Sequence, residues 1–489
     1  LIAEAPTGIG KTVSVLFPAI KALAEGKARK IFYLTARTIG RAVAQEKLPL
    51  NTSVVTKEQI RKKNAMTLDQ ALEGTLGVTS VERTGTLGQY SPITLRGFRP
   101  KHTAFMVDGI RIEDGGGEVS APTFPLDNVE RIEVLRGPGS ALYGANAMAG
   151  AYNLISKEPE DGPATTDITA SFGSFKTQKY AVEFGAKPGR LGAYVTGSKT
   201  KSEGFRNNSG YDADYYTGKF NYDATLWDRI SLSGQFLKSS VGLPGAIPVQ
   251  PVEFNNEREL IAATTSSHQE DQRTLGAAAY RRRLGEATTV QVRLFSTWLS
   301  RLYDSPEYAY KGEGISRTVG GEVQADHALM EDVVVTAGGE FRRDGYRSTD
   351  LLAVKVEGDA ARNTGAGFLQ AHGTFGNFNI LPGVRVDQHE VYGSQVNPRL
   401  GASYRIIPEA RVTGNVGRSF RAPTLIDLIW PDTAFGKGNP NLKPERALTY
   451  EIGTEVRPVH DVIARVTGFR VDMDDKIVNV VVDPVSGKT

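Results

Sequence analysis

The sequence predicts a mainly-β protein, a long antiparallel sheet of the transmembrane-barrel type that follows a small α/β domain. Three observations predict it. After Pro159, about 16 strand-length segments alternate apolar and polar residues, with turn residues between them. Between residues 51 and 158, one helical pattern is mixed with short strand-like pieces. Hydrophobic residues make up 40 % of the 489, yet no run approaches the roughly 18 apolar residues of a spanning helix. A membrane crossing would therefore be made by strands, whose alternation averages to a polar composition.

The first 50 residues form a βαβ-like opening: Leu1–Glu4, a glycine-rich turn, a helical pattern over Lys11–Glu25, and an apolar run at Ile31–Thr35. Ala5-Pro6-Thr7-Gly8-Ile9-Gly10-Lys11-Thr12 is close to a phosphate-binding loop, with Ala5 in place of its first glycine. Together with Ile31–Thr38 it resembles the start of ATP-dependent DNA helicases of the DinG type. That resemblance implies phosphate binding by Gly8, Gly10 and Lys11, magnesium at Thr12, and nucleic acid as a partner. One βα unit cannot bury a core of its own, and no second motor motif follows. This piece is read as a fused fragment joined near Leu50–Thr52, occupying the place of a secretion signal.

In the second region, Lys57–Leu76 contains a helix over Thr67–Leu76, with Thr67 as its N-cap. Strands are expected at Ile93–Arg96, Ala104–Val107, Ile110–Ile112, Arg131–Leu135 and Ala151–Ile155. Asp108-Gly109 is a hairpin signal.

The third region begins at residue 159. In Val290–Leu299, one face (Val290, Val292, Leu294, Ser296, Trp298) is largely apolar and the other mixed. Such strands suit a barrel with a wet interior and a lipid-facing exterior. A soluble sandwich or propeller is the alternative on pattern alone. Long inserts are expected at Gly242–His268, Asp304–Ile315, Asp344–Thr364 and Ala422–Arg446, and short turns at Ala186–Gly189 and Gly376-Asn377.

Two blocks carry a specific resemblance. Ile93–Phe98 and Phe105–Ile110 lead to Val129-Glu130-Arg131-Ile132-Glu133-Val134-Leu135-Arg136-Gly137-Pro138, then Ala141–Gly144 and Gly150–Lys157. This series resembles the plug domain of TonB-dependent receptors, and Val54–Ile60 with Leu68–Ser80 resembles the plug's opening. Some 300 residues on, Gly417–Leu425, Gly438–Glu445 and Tyr450–Gly453 resemble a barrel block of the same family. The resemblance implies a plug over 51–158 and a barrel over 159–489. Family barrels have about 22 strands, so the one here would be incomplete.

The resemblance also implies a function: outer-membrane uptake of a ferric siderophore, another metal chelate or cobalamin, energised by TonB, with no enzyme activity and no resident cofactor. ATP and magnesium belong only to the helicase resemblance. Ligand contacts are expected on the outer plug loops, with Gln89, Tyr90, Glu113 and Asp114 as candidates. Arg96, Arg131, Glu133 and Arg136, with Glu130, are expected to bond the barrel wall.

The remaining chemistry is sparse. Net charge is +3, too small to imply nucleic acid by itself. There are no cysteines, which excludes disulfides and thiolate metal sites. The six histidines show no metal spacing. Asp212 and Asp214 are read as a solvated loop, with calcium as the alternative. Arg281-Arg282-Arg283 is read as a solvated turn or a headgroup contact.

Overall fold

The computed structural model describes residues 50–80, 86–246, 261–431, 437–459 and 462–478. The P-loop-like segment, with Gly8, Gly10, Lys11 and Thr12, lies outside them.

The plug is built on a five-stranded sheet in the order β1-β6-β7-β4-β5: β1 (Asn51–Thr56), β4 (Thr103–Val107), β5 (Ile110–Arg111), β6 (Val129–Arg136) and β7 (Gly150–Ser156). β4 runs parallel to β7, and the other pairs are antiparallel. A separate pair joins β2 (Val78–Ser80) to β3 (Ile93–Leu95). Every residue of β6 and β7 is buried. They carry charged residues as well as apolar ones because both faces of the sheet are covered.

Helix α1 (Lys57–Lys62) starts with a capping box, Thr56 and Gln59 each satisfying a backbone amide of the other. The expected Thr67–Leu76 helix is shorter, α2 (Leu68–Leu72). Thr67 sits at its N-cap without a side-chain bond, and the Met66 amide donates instead to Gln70 Oε1 at 2.9 Å. Gly74 at φ +71° ends the helical path. β3 ends at Leu95 because Arg96 takes φ +53°. Asp108 and Gly109, at φ +49° and +80°, form a two-residue turn with Val107 paired to Ile110. Positive φ at both positions is the I′ geometry that the dipeptide signals.

A fifteen-stranded antiparallel sheet follows, with each strand hydrogen-bonded to the next from β8 to β22. Its strands are β8 (Gly162–Gly173), β9 (Thr177–Lys187), β10 (Leu191–Ser202), β11 (Tyr211–Asp223), β12 (Asp228–Gly242), β13 (His268–Leu284), β14 (Thr288–Ser305) and β15 (Tyr310–Met330). They continue as β16 (Val333–Asp350), β17 (Lys355–Phe375), β18 (Phe378–His389), β19 (Gly393–Ile407), β20 (Ala410–Arg421), β21 (Glu445–Val459) and β22 (Val462–Asp474). β8 and β22 are its two edges, so the barrel is not closed. Fifteen expected strands coincide with these; the sixteenth, Ile477–Val482, lies mainly outside the described residues.

Among the described residues, connections at one end are all short: 188–190, 224–227, 285–287, 331–332, 376–377 and 408–409. The other end carries the long ones, 203–210, 243–267 and 422–444. Short turns face the periplasm in outer-membrane barrels, and long loops face outward. Two expected inserts are corrected. Asp304–Ile315 and Asp344–Thr364 are mostly strand, because β14 to β17 form hairpins of up to 21 residues per strand. Over 304–315 and 344–364 the regular apolar–polar alternation lapses, so the signal that marks a strand in sequence is lost there.

The sheet is apolar outside and polar inside. On β14, Leu294 is 62 % exposed, while Phe295 and Leu299, on the opposite face, are buried. Exposed Val319, Val323, Phe341, Leu369 and Ile452 continue the outer face. Buried Glu322, Gln324, Asp326, Arg342, Arg385, Asp387, Asn397 and Arg399 line the inner one. A water-soluble sandwich would bury the first set and expose the second.

Candidate functional site

The inner wall is occupied by the plug, and their interface is polar. Asp127, just before β6, accepts from Lys179 of β9 at 2.6 Å and from Ser198 of β10 at 2.8 Å. Asn128 accepts from the Tyr215 hydroxyl of β11 at 2.9 Å. Lys219 of β11 pairs with Asp108 at 3.4 Å and with Glu158 at 3.0 Å. Arg293 of β14 donates to the Asp108 carbonyl at 2.6 Å, and Arg273 of β13 to the Ile112 carbonyl at 3.1 Å. On the far side, Asn51 donates to Thr467 of β22 at 3.1 Å. The contacts thus run from β9 to β22 and enclose the plug. Leu275 and Phe295 of the wall complete its apolar core, beside Leu95, Phe105, Ile132 and Tyr152.

The four residues expected at the wall behave differently from one another. Arg96 forms a buried ion pair with Glu451 of β21, and its guanidinium lies 4.4 Å from the Phe469 ring centre. The other three bond inside the plug, which corrects their expected role. Arg131 donates to Glu133 Oε1 at 2.8 Å. Glu133 is also approached by Asn153 Nδ2. Arg136 donates to the Leu76 carbonyl, Asn51 and Ser53, and ties β6 to β1 and the segment after α2. Glu130 likewise pairs within the plug, with Lys57 at 3.0 Å. The alternation of β6 does not reveal this, because its second face meets plug segments instead of the wall.

Electrostatics follow burial and partners. Burial, and then the Arg96 charge, push Arg136 down to about 10. Burial raises Glu133 despite the Arg131 guanidinium. Burial also opposes ionisation of Asp108, but Lys219 and the Ser156 hydroxyl and amide outweigh it and hold Asp108 below the usual carboxylate range.

Nearer the outer rim, a turn at Pro100–His102 is clamped to the wall. His102 Nε2 lies 2.6 Å from Glu445 Oε2, and Arg421 Nε donates to the same oxygen at 2.9 Å. Lys101 pairs with Asp427 at 3.3 Å. Asp427 caps helix α3 (Leu425–Ile429) together with Thr424. The sequence block around Gly417–Glu445 therefore grips the plug, and Ser140 Oγ accepts from the Phe420 amide at 3.2 Å.

The expected ligand-contact residues are all near this rim, and each has an internal partner. Gln89 donates to the Gly242 carbonyl at 2.9 Å, linking the plug to the foot of loop 243–267. Tyr90 donates to Glu118. Glu113 accepts from Arg111 Nε and Nη2 at 3.1 and 3.0 Å. Asp114 accepts from the Gly116 and Glu118 amides and faces Arg301 at 3.4 Å. A cleft of about 300 Å³ opens beside Gln89, Tyr90, Thr86 and Phe175. A second, smaller cleft is lined by Arg111, Glu113, Arg342, Asp344 and Arg362.

Among residues the sequence reading passed over, Asp127, Lys219, Arg273 and Arg293 do much of the positioning. Strand alternation places Lys219, Arg273 and Arg293 on inner faces, which is the available signal for them. Asp212 and Asp214 lie on β11, not in a loop, and Lys199 stands where a cation would sit, 2.6 and 3.1 Å away. Arg281–Arg283 end β13 at the short-turn end, with Arg283 5.5 Å over the Trp227 ring.

Comparison with known proteins fits this geometry. Residues 164–489 match the family model for the TonB dependent receptor-like β-barrel, and residues 44–151 match the TonB-dependent receptor plug domain. Neither match reaches Gly8, Gly10, Lys11 or Thr12. The chain is 26 % identical over 423 residues to the vitamin B12 transporter BtuB of Vibrio vulnificus, covering 82 % of this chain and 64 % of that protein. It is 24 % identical over 502 residues to the iron-regulated outer membrane virulence protein of Vibrio cholerae, covering 97 % of this chain and 73 % of the relative. Its fold matches the crystal structure of the siderophore receptor PirA from Acinetobacter baumannii with a TM-score of 0.74 and 20 % identity, over 92 % of this chain and 74 % of that one. The chain belongs to the TonB-dependent receptors, a family of outer-membrane receptors and not of enzymes.

Proposed function

We propose that this protein is the receptor of an energised uptake route for a scarce metal chelate, a ferric siderophore or cobalamin. The carrying observation is the plug seated within a sheet that is polar inside and apolar outside. A passive pore has no use for a folded domain in its bore; a receptor that releases cargo on demand does. Relatives named for vitamin B12 transport and for siderophore reception support both cargo classes. The long loops and the two clefts lie at the same end, where cargo would arrive.

TonB is the proposed partner. The plug's link to the wall is polar, so an applied pull can exchange its bonds for bonds to water one at a time. The test is uptake by a receptor-deficient strain that produces this protein in its outer membrane, with radiolabelled cobalamin and a panel of ferric siderophores. Accumulation of one cargo that disappears without TonB is expected; TonB-independent accumulation would defeat the proposal.

A further inference from the structure

The outward face of β10, β11 and β12 can be read row by row, because cross-strand partners share a face. From the short-turn end the rows are Leu191–Tyr222–Ile230, Ala193–Phe220–Leu232, Val195–Gly218–Gly234 and Gly197–Tyr216–Phe236. All four are free of charge. The next row is Lys199–Asp214–Lys238, and the one after it is Lys201–Asp212–Ser240. The switch from aromatic to ionic is abrupt, and it lies toward the end that carries the long loops. Alternate residues rise about 7 Å along a strand. The four apolar rows therefore extend about 20 Å along the tilted strands, and the charged rows begin toward the outer edge of the apolar band, where the headgroups of the outer leaflet lie.

Within this grid the charges are not all matched. Lys199 is bonded to both Asp212 and Asp214. Lys201 and Lys238 are exposed and carry no ion pair among the described residues. They lie two strands and two residues apart, about 12 Å from Cα to Cα by sheet geometry. Two flexible ammonium arms can converge from there on one anion, with Lys199 between them.

We infer that Lys201 and Lys238, centred on Lys199, form a binding site for the phosphorylated sugar headgroup of an outer-leaflet glycolipid. The chemistry favours this occupant. Ammonium groups bind phosphate as point charges, the carboxylates of Asp212 and Asp214 accept from sugar hydroxyls, and the aromatic row of Tyr216 and Phe236 directly beneath packs against acyl chains. A phospholipid offers the phosphate and the acyl chains but no sugar for the aspartates.

The site rests on the reading of this sheet as a membrane barrel, and the test separates the two. The full chain is extracted from outer membranes and its bound lipopolysaccharide counted by native mass spectrometry. Wild type, K201E/K238E, K201Q/K238Q and the control K355E, at another outer hairpin, are compared. Both double variants are expected to retain about tenfold less glycolipid, the loss of two charge-assisted contacts, with the control unchanged. Heat-modifiable migration of every variant reports the barrel independently. Equal retention by the folded double variants overturns the site, as does displacement of the glycolipid by inorganic phosphate or by phosphatidylglycerol vesicles at matched concentration. Loss of heat-modifiable migration in wild type would instead strike the barrel reading.

Discussion

Arg96 shows how much one side chain carries. It leaves β3 in a left-handed conformation that a strand would forbid, and this turns its guanidinium to Glu451 and Phe469. Removing one partner of a buried pair strands the other charge and costs about 3–5 kcal/mol. Glu451→Ala should therefore lower the urea midpoint of plug unfolding, read by a fluorophore on the plug; an unchanged midpoint would show that the pair contributes nothing. Asp108 gives a pH dependence. Its folded pKa lies below the ordinary 3.8, so its contribution is complete above that value and is lost as pH falls through the lower, folded one. The hairpin at Asp108-Gly109 should loosen in acid below about pH 4, as hydrogen exchange would report. Asp108→Asn should show the loosened behaviour at neutral pH and little further change on acidification.

At the scale of elements, the long loop 243–267 is held by its feet. Arg206 donates to the Gly245 and Ile261 carbonyls, both at 2.8 Å, and Asn208 to Thr264 and Ser267 at 3.0 and 2.9 Å. From the other side Glu307 accepts from the Thr265 and Ser266 amides at 2.6 and 2.7 Å. These bonds hold its carboxyl well below the usual range, the Ser267 hydroxyl foremost. Glu307→Ala should speed protease cleavage within the loop several-fold while leaving barrel migration unchanged. Cleavage at the wild-type rate would show that the cradle is dispensable. The legible elements were those with a local cause: the Asp108-Gly109 turn and the alternating strands. The hairpin extensions of β14 to β17 were illegible, since strand pairing above the bilayer needs backbone bonds and not an apolar stripe. The roles of Arg131, Glu133 and Arg136 were hidden for a related reason, because a charge on a doubly covered strand finds its partner only when the chain folds back.

For the whole molecule, the inversion of polarity across the sheet is the decisive property. Leu294 faces outward and Arg293 inward, one residue apart. Leu294→Arg should cost about 2–4 kcal/mol if it lies near the bilayer midplane, measured by urea unfolding of vesicle-inserted protein. The same substitution at inward-facing Gln324 should change plug fit and leave insertion intact. Equal insertion and stability for wild type and Leu294→Arg would place that face out of lipid.

Sequence by itself determined the strand alternation, the tight turns, the two family blocks and therefore the class of the protein, because these depend on neighbours along the chain or on short fixed motifs. Tertiary structure alone decided which charges meet: Asp127 with Lys179, Asp108 with Lys219, His102 with Glu445, and Arg131 with Glu133 instead of with the wall. The physical reason is reach. Hydrophobic period is set by backbone geometry within a few residues, whereas an ion pair forms between whichever groups the curving of the sheet around the plug brings within about 4 Å.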